Sequence, residues 1–156
     1  YKEEDTLEEE NLSKNLSGLT ALLVEDNELN MEITKFILEN AGINVVTAKD
    51  GKEAVDIFAK SEVHYFDVIL MDIMMPVMDG LTATKTIRSL ERQEAKTIPI
   101  FAMTANAFLE DKPGMNEHLS KPLDEKKLMN TIWKYTIGKN SNSKGLLVEV
   151  YSFLGK

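Results

Sequence analysis

The chain has 156 residues, 43% of them hydrophobic, with 26 acidic against 18 basic side chains for a formal net charge of −8, and no cysteine. That is enough apolar material for one core, and the negative balance disfavours unspecific binding to nucleic acid or to an anionic membrane surface. Lack of cysteine removes disulfides and thiolate zinc sites, and apolar runs of about six residues are too short to span a bilayer.

Residues 1–18 are polar and acidic, with Glu3, Glu4, Asp5, Glu8, Glu9 and Glu10 against Lys2 in the first ten. Thr6 and Glu9 have the spacing of a capping box and Gly18 would end a helix, so this segment is expected to be an acidic linker or a short helix. A first strand is expected over 20–25, where Ala21-Leu22-Leu23-Val24 runs into Glu25-Asp26. A helix over 28–41 follows, with Met31, Ile33, Thr34, Ile37, Leu38 and Ala41 near one face, Asn27 as its cap and Gly42 as its stop. Next come a strand over 43–48 and a helix over 51–61 with Ala54, Val55 and Phe58 inward. A buried strand over 67–71 stops at Asp72, and Asp79 would cap a helix over 80–91 that points Ala83, Ile87 and Leu90 inward. A strand over 98–103 carries Pro99 near its start, where a missing N–H is tolerated. A shortened helix over 106–112, a strand over 118–120 and a helix over 124–136, with Leu128, Ile132 and Trp133 inward, complete the series.

Strict strand–helix alternation implies a parallel sheet with helices on both faces and right-handed crossovers. The folded domain is expected over 19–137. Residues 138–156 read as a flexible tail: Gly138, Asn140, Ser141, Asn142, Ser143 and Gly145 make a linker, and the strand-like stretch 146–151 has nothing left to pair with.

The chemistry lies at the strand ends. In an open α/β sheet the carboxyl edge is where ligands bind. Here that edge would collect Glu25, Asp26, Asp72, Thr104 and Lys121. Three carboxylates, a hydroxyl and an ammonium suit a divalent cation together with a phosphoryl group. Each residue alone has a plainer reading: an aspartate at a strand end commonly shapes a turn, and Lys121-Pro122 can simply end a strand. The eight methionines read as core and loop filler.

These stretches resemble the response-regulator receiver domain, and most closely the receivers of hybrid sensor histidine kinases. They are Leu22-Leu23-Val24-Glu25-Asp26-Asn27, Leu70-Met71-Asp72 with Met75-Pro76-Val77-Met78-Asp79-Gly80, Met103-Thr104-Ala105-Asn106-Ala107 and Leu119-Ser120-Lys121-Pro122-Leu123. The resemblance implies a flavodoxin-like (βα)5 fold, doubly wound, with strand order 2-1-3-4-5. It implies that Asp72 is the nucleophile that takes a phosphoryl group from phosphohistidine, with slow self-hydrolysis afterwards. Glu25, Asp26, Asp72 and the Met74 backbone carbonyl would bind Mg²⁺, with Lys121 and Thr104 on the phosphoryl oxygens. Thr104 and His118 would form the switch pair, and Met74, Ala105 and Asn106 would flank the pocket. The implied partner is a histidine kinase dimerisation/phosphotransfer domain or a histidine phosphotransfer protein, with no nucleic acid and no membrane contact by this domain itself. The implied location is cytoplasmic, or the cytoplasmic part of a membrane-anchored kinase.

One stretch departs from the family pattern. Between Thr104 and Lys121 the chain is shorter than usual, with Pro113-Gly114 following closely on Glu110-Asp111-Lys112. This implies either a truncated helix or residues missing from the chain there, and it puts the adjoining surface in doubt as an output or dimerisation face. Two other readings are a receiver-like interaction module that is never phosphorylated and a phosphatase of the haloacid-dehalogenase type. The latter needs an aspartate two positions after the nucleophile, where this chain has Met74.

Overall fold

The computed structural model describes residues 16–105 and 112–138. The possible helix near Thr6, the expected helix over 106–112 save Lys112, Asn106, and residues 139–156 lie outside the described residues. The elements are β1 (Thr20–Val24), α1 (Glu28–Asn40), β2 (Asn44–Ala48), α2 (Gly51–Lys60), β3 (Val68–Asp72), α3 (Gly80–Arg88), α4 (Gln93–Thr97), β4 (Ile100–Thr104), β5 (Glu117–Ser120) and α5 (Glu125–Tyr135). All strand pairs are parallel, in the order β2-β1-β3-β4-β5.

Strand alternation divides the core in two. Ala21, Leu23, Val68, Leu70, Phe101, Met103 and Leu119 join Leu38 of α1 and Leu128 and Ile132 of α5 on one face. Leu22, Val24, Ile69, Met71 and Ile100 join Ala54 and Phe58 of α2, Ala83 and Ile87 of α3 and Ala95 of α4 on the other. Each fully enclosed leucine, isoleucine or phenylalanine adds ~1.5–3 kcal/mol relative to exposure. The central strands β1, β3 and β4 are buried along their whole length, which is why they are written as unbroken apolar runs. The first face reaches back to Leu16, which is fully buried.

Helix starts follow side-chain caps. Asn27, Asp50, Asp79 and Asp124 each accept an amide hydrogen bond from the first turn of α1, α2, α3 and α5. The helix expected over 80–91 ends three residues early, at Arg88, and the Ser89 amide closes its last turn on Lys85 O and Thr86 O. The one-turn α4 then forms in a stretch to which the sequence assigned no element. It is held by Glu94, which is buried and accepts from Arg92 Nε at 2.6 Å and from the His64 amide. Arg88 ties this corner to the approach of β5. Its guanidinium donates to Ala95 O, to Gly114 O twice and to Asn116 Oδ1 at 2.8–3.0 Å. Asn116 in turn pairs with Ile100 through both its side chain and its backbone.

On α1 the inward face is narrower than expected. Thr34 and Leu38 are buried, but Ile33 is 51% exposed. At about 100° per residue Ile33 lies a quarter-turn from Thr34, at the edge of the packed arc. With Leu29 and Phe36 it forms an outward apolar stripe.

Candidate functional site

The parallel register brings the ends of β1, β3, β4 and β5 to one edge. Val24 pairs with Met71, Asp72 with Met103 and Thr104 with Ser120. Each functional side chain is therefore the last residue of its strand or lies within the next two positions, where the chain leaves the sheet. Glu25 and Asp72 are almost fully buried, at 3% exposure each, while Asp26 is exposed. Oxygens of Glu25, Asp26 and Asp72 lie within 4.8 Å of one another. Lys121 Nζ sits 2.9 Å from Glu25 Oε2 and 3.1 Å from Asp72 Oδ2. The remaining carboxylate oxygens turn to backbone: Met74 N–H donates to Asp72 Oδ1 at 3.3 Å and Asn27 N–H to Glu25 Oε1 at 3.2 Å.

Buried like charges leave an electrostatic signature. Burial, then the hydrogen bond and charge of Glu25, push the Asp72 carboxyl up to about 7, against the pull of Lys121. Burial alone would lower the Lys121 ammonium, but its contacts with Glu25 and Asp72 win and raise it. Three carboxylates thus face one ammonium. The donors are hard oxygens with a surplus of negative charge, a set that fits a divalent cation such as Mg²⁺.

Thr104, the last residue of β4, is buried, and its carbonyl accepts the Lys121 amide at 2.8 Å. This ties the end of β5 to the end of β4. Ala105 is exposed beside it, and Asn106 lies outside the described residues. Met74 is 80% exposed, and what it presents to the Asp72 carboxylate is its backbone N–H. His118 lies on the edge strand β5 opposite Ala102. Its Nε2 is buried, with no hydrogen-bond partner among the described residues. Asp79 caps α3, accepting from Thr82 N at 2.8 Å, as expected of a turn residue and not of a metal ligand. A cleft of about 370 Å³ opens beside the cluster, between Ile33 of α1 and Pro122 and Leu123.

Two features escaped the sequence reading. Arg88 carries no local signal, since its partners lie up to 28 positions away. Gly51 read as an ordinary helix start, although a Cβ there would collide with the β3–α3 loop. A glycine directly after an N-cap aspartate, where a better helix former would serve, was the available hint.

A doubly wound α/β domain with an acidic, lysine-bridged cleft at the carboxyl edge of its sheet is the architecture of a phosphoryl-accepting signalling module. The family model of the response regulator receiver domain matches residues 21–133, and the chain belongs to that family, the phosphoacceptor switches and relays of two-component signalling. It is 40% identical over 118 residues to the hybrid signal transduction histidine kinase I of Dictyostelium discoideum, a match covering 71% of this chain and 7% of that kinase. The crystallised receiver domain of sensor histidine kinase PA1611 from Pseudomonas aeruginosa PAO1 holds a magnesium ion in its active site cleft. It is similar at TM-score 0.69 and 35% identity, over 76% of this chain and 98% of that one. The receiver domain of Ssk1, crystallised with the phosphotransfer protein Ypd1 of Saccharomyces cerevisiae, is similar at TM-score 0.68 and 31% identity, over 78% of this chain and 90% of that one. The chain spans only 5–15% of the length of the kinases it matches. No helix among the described residues is long and apolar enough to cross a membrane.

Proposed function

We infer that Asp72 is the phosphoacceptor and that the cleft works with Mg²⁺. The observation that carries this is the Lys121 ammonium within hydrogen-bond distance of both Glu25 and Asp72, beside three converging carboxylates. An Asp72 oxygen attacks phosphorus in line, the P–N bond to the donor imidazole breaks, and the imidazole leaves as the P–O bond forms. Glu25, Asp26, Asp72 and the Met74 backbone would hold the ion. When bound, it offsets the repulsion between an anionic nucleophile and an anionic phosphoryl group. In this reading Lys121 pairs with phosphoryl oxygens as they arrive and Thr104 donates its hydroxyl to one of them. Thr104 and His118 form the switch pair in this reading: movement of Thr104 toward the phosphoryl group frees space into which the imidazole turns. Leu16 is buried in the core, so the folded domain begins before residue 19, the boundary expected from the sequence.

Incubation with acetyl phosphate and Mg²⁺ tests the acceptor. Intact mass should show one added phosphoryl group, labile in base and absent in Asp72→Asn. A persistent adduct in Asp72→Asn would reject this reading, and rapid turnover without an adduct would favour a phosphatase.

A phosphohistidine partner, either a kinase phosphotransfer domain or a separate phosphotransfer protein, follows from the same surface. Leu29, Ile33 and Phe36 form an exposed stripe on α1, whose first turn starts at Asn27 beside the cluster. Ile33 also borders the cleft shared with Glu25 and Lys121. Phe36→Asp should slow transfer from a phosphohistidine protein at least tenfold, since buried aromatic anchors carry much of such docking. It should leave labelling by acetyl phosphate unchanged. Equal loss with both donors would place the effect in the fold instead of in docking.

A further inference from the structure

We propose that Gly51, on α2 and remote in sequence from the acceptor, is a positioning residue that holds the β3–α3 loop and so sets the cleft's grip on its cation. The proposal rests on the reading of Glu25, Asp26 and Asp72 as the metal-binding site.

Residues 73–79 leave β3 directly after Asp72 and re-enter helix at Gly80. The loop is pinned where two glycines allow backbone closer than any side chain would. The Gly80 amide donates to Ile73 O at 3.0 Å, and a Cβ at Gly80 would lie 2.2 Å from Asp72 O. The Gly51 amide donates to Met78 O at 3.0 Å, and a Cβ at Gly51 would lie 2.4 Å from that same oxygen and 2.9 Å from Ala83 Cβ. An alanine at 51 must therefore displace either the first turn of α2 or the loop. That turn is fixed: Asp50 caps it through Glu53 N at 2.8 Å, and Ala54 and Phe58 anchor it in the core. The loop is the softer side, with Met74 and Val77 largely exposed.

The loop also holds strain. Val77 has φ +68°, and Met78 N–H donates to Pro76 O at 2.7 Å, which makes a γ-turn around a β-branched residue. Such turns are rare and persist only where their surroundings over-determine them. Here the Gly51 amide fixes the carbonyl that ends the turn. Upstream in the same loop, Met74 N–H meets Asp72 Oδ1. Displacement at Met78 is therefore transmitted along a short stretch of backbone to the acceptor carboxylate.

The test is Mg²⁺ affinity, measured by titration calorimetry at pH 8. Gly51→Ala, shown folded by circular dichroism, should bind about tenfold more weakly, as loss of a supporting contact does at metal sites, while Ala54→Gly, a packing defect one turn along α2, should stay within about twofold. In wild-type protein, amide exchange at Gly51 should slow about tenfold on Mg²⁺ saturation, while Ala59 and Lys60 at the far end of α2 keep their rates. That measurement decides the matter if Gly51→Ala does not fold. Wild-type affinity in folded Gly51→Ala, equal weakening in Ala54→Gly, or unchanged exchange at Gly51 overturns the proposal. Wild-type protein that neither binds Mg²⁺ nor takes a phosphoryl group would instead reject the site reading beneath it.

Discussion

Lys121→Met should slow phosphoryl incorporation from acetyl phosphate by at least about a hundredfold, the scale seen when one preorganised donor to a developing charge is removed. It should also destabilise the metal-free domain by ~2 kcal/mol at pH 8. Breaking a fully buried ion pair costs roughly 3–5 kcal/mol, and a quarter of the Lys121 side chain is exposed, so the smaller figure applies. The pH dependence follows from the signs. Lys121 has a raised pKa, so its contribution is fully present below the ordinary lysine value and is lost only as pH climbs through the raised one. The variant leaves Asp72 and Glu25 without their shared ammonium, and Asp72 then holds its proton more strongly still. Acidification neutralises that carboxyl, so the stability gap between variant and wild type should narrow from pH 8 to pH 5. Urea unfolding at the two pH values measures it. A gap that widens on acidification, or an unchanged incorporation rate, would contradict the assigned role.

Metal-free wild-type protein should lose stability as pH rises from about 4 to about 7, relative to Asp72→Asn. The Asp72 carboxyl is held near 7 in the folded state against 3.8 for the ordinary group. Between those values the folded state binds more protons than the unfolded state, so folding is weakened as pH rises and the penalty is complete above about 7. At ~1.4 kcal/mol per pH unit the penalty is at most ~4 kcal/mol. Asp72→Asn removes the titration, so at pH 8 it should be the more stable protein, with the difference vanishing toward pH 4. Comparing the two variants cancels the opposite slope from ordinary surface carboxylates. The same proton competes with the cation. Magnesium affinity should fall below pH 7, by up to about tenfold per unit when one proton is displaced. Parallel stability profiles for wild type and Asp72→Asn would show that Asp72 is not held protonated.

Much of the architecture was legible because burial on both faces writes a parallel strand as an unbroken apolar run. Ala21–Val24 and Val68–Met71 could hardly be read otherwise. Capping residues marked helix starts as clearly: Asn27 and Asp79 do what short polar side chains at such positions do. Helix ends were harder. The early stop at Arg88 and the single turn Gln93–Thr97 depend on long-range partners of Arg88 and Glu94, which leave no periodic trace. Ile33 fits an apolar stripe on paper, and only the packing of α1 on the sheet shows that the stripe ends before it.

For the site, the residue types and their places at successive strand ends were determined by the sequence, because a parallel sheet delivers every such end to one edge. What only the tertiary structure decided is how those groups meet. Lys121 bridges Glu25 and Asp72 across 96 and 49 positions of chain, burial lifts the Asp72 carboxyl, and Gly51 meets the carbonyl of Met78. Charge, hydroxyl and turn-forming character belong to residues taken singly. Proton affinity, metal affinity and loop strain depend on desolvation and close approach, which arise only when distant segments pack.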